Sequence, residues 1–294
     1  MIPAASACPI LDTTDLSVYV DGLHHPEGVT WGPDGKVWAG GERGELYRVD
    51  DPVEGAVEFG TSGGFTLGVA HGAAGRIFTC DPIARCVQVF EPDGAFRSYS
   101  DGSPDVPIVA PNHLAFAASG DLFVSDSGRW KHDDGRIYRI RPGGAGEIWC
   151  DALTTVPNGV CLGPGDTHLY VAMTLNPGRI SRVEIRPDGS AGRVEDYALL
   201  DGTLPDGLAF AANGDLYVVT YRPDSVFVIR AGTRDVELFA SDPEGAVLAS
   251  PTNLAFGQIA HAPILFSANI GRWHITSMPV DVPGQPLNYP DVDR

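Results

Sequence analysis

The chain has 294 residues, 43% of them hydrophobic, and sets 38 Asp and Glu against 20 Lys and Arg for a formal net charge of −18. That balance excludes the basic surface a nucleic-acid partner requires and disfavours an anionic membrane. No stretch is long and apolar enough to span a bilayer as a helix.

Residues 1–14 lack a basic region followed by an apolar run, so no secretory signal is read there. A first strand is expected over residues 16–20. The chain then repeats itself six times: Pro26-Glu27-Gly28-Val29-Thr30-Trp31, Thr66-Leu67-Gly68-Val69-Ala70-His71, Pro111-Asn112-His113-Leu114-Ala115-Phe116, Pro157-Asn158-Gly159-Val160-Cys161-Leu162, Pro205-Asp206-Gly207-Leu208-Ala209-Phe210 and Pro251-Thr252-Asn253-Leu254-Ala255-Phe256. The starts are separated by 40, 45, 46, 48 and 46 residues, and a period of about 40–50 residues is that of a propeller or solenoid.

Each copy reads as strand, tight turn, strand, loop, strand, with period-two alternation bounded by Gly and Pro. In the first copy these strands are 28–31, 36–39 and 45–49, with the turn at Asp34-Gly35. In the fifth they are 207–210, 216–219 and 225–229, with the turn at Asn213-Gly214. Fourth strands are expected at 56–59, 96–99, 147–150, 194–199 and 236–239. The sixth copy runs through 253–256, 264–267 and 274–280 without a fourth strand, and strand 16–20 has no triplet of its own. Placing that strand on the outer edge of the last blade closes the ring and leaves no open seam. The expected fold is therefore all-β, a single six-bladed β-propeller over residues 1–294, with tails at about 1–14 and 283–294. The 36 Gly and 24 Pro suit its many turns. The five cysteines, Cys8, Cys80, Cys86, Cys150 and Cys161, have no metal-ligand spacing and read as reduced packing thiols of a cytoplasmic protein.

The second slot of the repeat opens the innermost strand, so its occupants should converge at one mouth of the channel. They are Glu27, Leu67, Asn112, Asn158, Asp206 and Thr252. A turn device would recur in all six copies. Here Glu27, Asn112, Asn158 and Asp206 supply two carboxylates and two amide carbonyls, an oxygen set suited to Ca²⁺, Mg²⁺ or Mn²⁺. Without a cation two converging carboxylates would repel. The loops between second and third strands return to the same mouth; they include 40–44, 81–85, 126–134, 174–178, 221–224 and 269–273. The longest, 126–134, carries Asp126, Arg129 and Trp130 and is expected to act as a partial lid. His71 reads as a packed core histidine. At most one of His24 and His25 should reach the mouth, and His113 should turn away from Asn112.

In this order and spacing, Pro26-Glu27-Gly28, Pro157-Asn158-Gly159 and Pro205-Asp206-Gly207 resemble the metal-ligand motifs of the regucalcin/gluconolactonase/luciferin-regenerating enzyme family. The resemblance covers about residues 18–280 and implies a metal-dependent lactonase on a six-bladed propeller. It implies Glu27, Asn158 and Asp206 as ligands of one divalent cation, Ca²⁺ first, with Mg²⁺, Mn²⁺ or Zn²⁺ as alternatives. Asn112 is implied as a fourth ligand or a substrate contact, and Asp206 also as general base toward water. Asp126, Arg129, Trp130 and Tyr221 are the expected substrate-binding wall. Animal members carry an Arg two residues before this Asn and an Asp after it; Ala110 and His113 stand there here, which points away from a sugar-acid lactone. The expected partner is a small soluble substrate, with no nucleic acid, membrane or obligate protein partner. Competing readings are a non-catalytic ligand-binding propeller with a structural metal, or another metal-dependent hydrolase or lyase on the same scaffold.

Overall fold

Each sequence copy becomes one antiparallel four-stranded sheet in the structure, a computed structural model that describes residues 10–175 and 177–292. The outlying strand β1 (Ser17–Val20) comes first. Blade one holds β2 (Val29–Trp31), β3 (Val37–Gly40), β4 (Glu45–Asp51) and β5 (Gly55–Thr61). Blade two holds β6 (Val69–His71), β7 (Ile77–Asp81), β8 (Cys86–Phe90) and β9 (Phe96–Ser100). Blade three holds β10 (Pro111–Phe116), β11 (Leu122–Asp126), β12 (Arg136–Ile140) and β13 (Gly146–Cys150). Blade four holds β14 (Pro157–Leu162), β15 (His168–Met173), β16 (Arg179–Ile185) and β17 (Ala191–Leu199). Blade five holds β18 (Leu204–Phe210), β19 (Leu216–Arg222), β20 (Ser225–Ile229) and β21 (Val236–Ser241). Blade six is built from β22 (Pro251–Ile259), β23 (Ala262–Asn269) and β24 (His274–Pro279). Its outer edge is β1, paired antiparallel with β24 in the register Ser17↔Ser277 and Val18↔Thr276. The expected ring closure is thus present. No α-helix occurs among the described residues, and none of their helices is long and apolar enough to cross a membrane.

The core is distributed as six apolar clusters, one at each blade-to-blade interface. One device recurs. The residue of each second strand that pairs with the fifth slot of the repeat is aromatic: Trp38, Phe78, Phe123, Tyr170, Tyr217 and Phe266. In five interfaces that ring packs against the sixth slot of the next blade's repeat. Phe78–Phe116 lie 5.0 Å apart, Tyr170–Phe210 4.9 Å, Tyr217–Phe256 5.3 Å, Phe266–Trp31 5.8 Å and Trp38–His71 5.5 Å. Each buried aromatic contributes roughly 1.5–3 kcal/mol through area removed from water, with about 0.5–1.5 more from ring geometry. No blade retains these terms alone, which is why the ring folds as a unit. His71 is the packed residue expected, 4% exposed against Trp38, and its pKa is lowered to about 4 by burial.

The two tails are structured where they are described. Leu11 bridges to Ala240 on β21. Residues 283–292 cross the end of the channel where the tight turns lie. Gln285 N–H donates to Phe210 O (2.9 Å) and Gln285 Nε2 to Leu162 O (3.2 Å). Asn288 Nδ2 donates to Phe116 O (3.0 Å), and Ala73 N–H of blade two donates to Pro290 O (2.8 Å). The inner strands end there in unpaired carbonyls, and the strap supplies donors that a compact tail could not bring to several blades at once. Cys80, Cys86, Cys150 and Cys161 are free thiols whose pKa values are raised by burial; Cys8 lies outside the described residues.

Candidate metal centre

The second-slot residues sit where the inner strands break their pairing. Register is lost between Pro111 and Leu114, between Pro157 and Val160, between Pro205 and Leu208, and between Pro251 and Asn253. Such an irregularity frees a side chain from strict alternation and re-aims it. In blade one Glu27 precedes β2 altogether. The glycines of the third slot let neighbouring inner strands approach: a Cβ on Gly28 would meet Leu67 O at 1.9 Å, and one on Gly159 would meet Asp206 O at 2.3 Å.

Glu27 and Asp206 do converge. They belong to blades one and five, with blade six between them, yet the charge of Glu27 acts on Asp206. Burial drives the Asp206 carboxyl well above the ordinary range, and Glu27 drives it further. Burial also raises Glu27, assisted by Glu42. Like charges in one desolvated cup produce this shift. Among the described residues no side-chain hydrogen bond relieves either carboxylate.

Asn158 completes the picture from blade four. It is 7% exposed, and its Nδ2 donates to Thr174 Oγ1 at 3.1 Å. Thr174 gives its single hydroxyl proton to Pro205 O in blade five at 2.8 Å. Thr174 can therefore only accept from Asn158, so the amide nitrogen faces Thr174 and Oδ1 points away. That Oδ1 is buried without a hydrogen-bond partner among the described residues. A buried acceptor left open beside two unrelieved carboxylates fits a hard divalent cation. No group of three or more His, Cys, Asp or Glu gathers to hold a metal among the described residues; a cup of two carboxylates and amide oxygens contains only two such side chains.

The odd slots have their own work. Leu67 is buried in apolar packing at the interface of blades two and three. Thr252 donates Oγ1–H to Glu27 O at 2.8 Å and so fixes the backbone that carries Glu27. Ser125 Oγ does the same for Asn158 O at 2.5 Å. Sequence reasoning missed the bracing role of Ser125, Thr174 and Thr252; the available signal was a hydroxyl residue one blade before Asn158, Asp206 and Glu27 respectively. Asn112 is half-buried on β10, and its carbonyl accepts from Gly68 N–H at 2.8 Å.

The expected wall divides. Asp126 is fully buried and spent on backbone: Oδ2 accepts from Val109 N–H (2.9 Å) and Oδ1 from Ala110 N–H (2.7 Å), both in the segment before β10, and Oδ1 also accepts from Gly128 N–H (3.0 Å) in its own loop. Its place is that of a brace, not of a substrate contact. Arg129 is exposed and paired with Asp134 at 2.7 Å, Trp130 is 64% exposed, and Tyr221 lies under the Arg222 guanidinium at 4.6 Å. None of these has a contact that ties it to the cup. A different rim stands beside Glu27. His25 lies 3.0 Å from Glu42 Oε2 and stacks on Phe65 at 6.3 Å, while Trp273 lies 5.3 Å from His24 and 6.3 Å from His25. Both histidines reach this rim because His25 has φ 50° and breaks the alternation that would have separated them. His113 is packed and hydrogen-bonded. Its Nδ1 lies 3.1 Å from Val160 O, Asn253 from the opposite blade is its second hydrogen-bond partner, and burial lowers its pKa to about 4. These two third-slot residues link blades three and six.

Comparison with solved structures finds the same architecture. A gluconolactonase from Xanthomonas campestris aligns with a TM-score of 0.76 at 20% identity, covering 92% of this chain and 89% of that one. A calcium-binding protein, regucalcin, from Agrobacterium tumefaciens aligns with a TM-score of 0.77 at 16% identity, covering 96% and 99%. A luciferin-regenerating enzyme aligns with a TM-score of 0.72 at 13% identity, covering 97% and 100%. Among curated protein sequences none matches significantly. The model of the SMP-30/gluconolactonase/LRE-like region matches residues 25–260, across all six second-slot positions, and the chain belongs to that family.

Proposed function

We propose that the chain is a divalent-cation-dependent lactonase that opens a small, uncharged lactone to its hydroxy acid. Glu27, Asn158 and Asp206 would hold the cation, with Asn112 beside them as a fourth ligand or substrate contact. The cation, Ca²⁺ in the first instance, would keep both carboxylates ionised and draw negative charge from the acyl oxygen. Asp206 is the base. A carboxylate oxygen takes a proton from water as the water oxygen bonds to the acyl carbon. The ring C–O bond then breaks, and the same proton passes to the leaving alkoxide. Without the cation, burial and the charge of Glu27 favour the protonated form of Asp206; the cation would release that carboxylate to act as a base. His24, His25, Phe65 and Trp273 offer the substrate an aromatic rim. The acidic cup and Glu42 disfavour an anionic substrate.

The observation that carries this reading is the open, buried Oδ1 of Asn158 beside the paired carboxylates. The test is a hydrolysis screen of diverse lactones on exhaustively chelated protein, resupplied with one metal at a time. Turnover is expected with a hard divalent ion and none without it. Full activity after chelation would exclude the mechanism.

A further inference from the structure

The strap at 283–292 turns the lower half of the channel into a cavity of ≈ 390 Å³, at the opposite end from the cup. Its bore is set by the fifth slot of the repeat, which is small in every copy: Thr30, Ala70, Ala115, Cys161, Ala209 and Ala255. His113, hydrogen-bonded to Asn253, also lines this space. The cavity opens to solvent beside Leu287, which is 55% exposed.

Three properties define what fits. Among the described residues no Asp, Glu, Lys or Arg lines the cavity, so an ion would enter uncompensated, and a neutral molecule is selected. Most of the wall is aliphatic or aromatic, and the volume lies in the range of small-molecule pockets. Two wall atoms are buried without a hydrogen-bond partner among the described residues, His71 Nε2 and Gln285 Oε1. His71 is 4% exposed and held between Trp38 and Tyr289. Gln285 is held through both its backbone and Nε2, which fixes Oε1 as an acceptor. A buried amide oxygen without a donor is a standing cost that a ligand N–H or O–H removes.

We propose that this cavity is a second, cation-independent binding site for a small neutral aromatic molecule bearing one hydrogen-bond donor. It is separate from the reaction and does not depend on the lactonase reading. The test is calorimetric titration of the full chain with indole and with benzofuran, its counterpart lacking the N–H, in chelator and in Ca²⁺. Indole is expected to bind one-to-one with the same affinity in both media, and benzofuran at least about tenfold more weakly. Cys161→Phe and Ala209→Leu, which fill the bore from two adjacent blades, should each weaken indole at least about tenfold, while Glu27→Gln leaves it unchanged. If one filled variant does not fold, the other decides. No saturable indole binding, binding that survives the filled bore, or binding lost in Glu27→Gln would overturn the proposal.

Discussion

Thr174 stands between Asn158 and Pro205, accepting from the amide of one (3.1 Å) and donating to the carbonyl of the other (2.8 Å). One hydroxyl thus orients the Asn158 amide and joins two blades. Thr174→Val removes both bonds with little change in shape. Its Ca²⁺ affinity, read by calorimetry, is expected to fall about 10–100-fold, as it does when a ligand's orienting partner is removed. Thr174→Ser should recover most of it. Equal affinity in Thr174→Val and wild type would show that Asn158 is not a ligand.

Glu27 and Asp206 strain the cation-free protein and should stabilise the loaded one. Glu27→Gln removes one of two mutually repelling carboxylates at constant volume. Its cation-free Tm is expected to rise, by roughly 2–4 °C for each kcal/mol relieved. Wild type should gain about 2.7 kcal/mol at a hundredfold excess of Ca²⁺ over Kd, and the variant almost nothing. Scanning calorimetry with and without chelator reads both signs. Asp206→Asn should in addition lower kcat by about 10³-fold or more.

Asn112 is to be separated from the other three. Asn112→Ala is expected to lower kcat/KM about tenfold or more while changing Ca²⁺ affinity only a few-fold. Unchanged kinetics would remove it from the site.

Acid should act through His71. Its pKa is lowered to about 4 in the folded chain, against about 6.5 unfolded. The unfolded chain therefore takes up a proton first as pH falls. Stability is full above about pH 6.5 and lost progressively down to about pH 4, by ~3 kcal/mol for this one group. His113, also lowered to about 4, adds a similar loss. His71→Phe places in copy two the residue found at that slot in copies three, five and six. It should remove about half of the acid-dependent loss in urea melts between pH 7 and 4.5, and an unaltered pH slope would refute the assignment.

The repeat was legible because a ring of blades writes itself into the sequence at constant intervals. Strand positions, the closure by residues 17–20 and the convergence of Glu27 and Asp206 all follow from that period. What was not legible depends on partners that are backbone atoms. Asp126 looks like any exposed loop acid, and only the placement of three N–H groups shows it to be a brace. The strap at 283–292 reads as a tail because it has no alternation; its partners are carbonyls contributed by separate blades.

The pairing of Ser17 with Ser277 spans almost the whole chain. During translation, the β1 strand must wait for a partner 260 residues later before its edge is covered. The order of synthesis therefore runs against the order of completion. Until the β24 segment leaves the ribosome, an adhesive strand and an incomplete sheet coexist on one nascent polypeptide. A chaperone acting on this protein would find its binding opportunity in that interval.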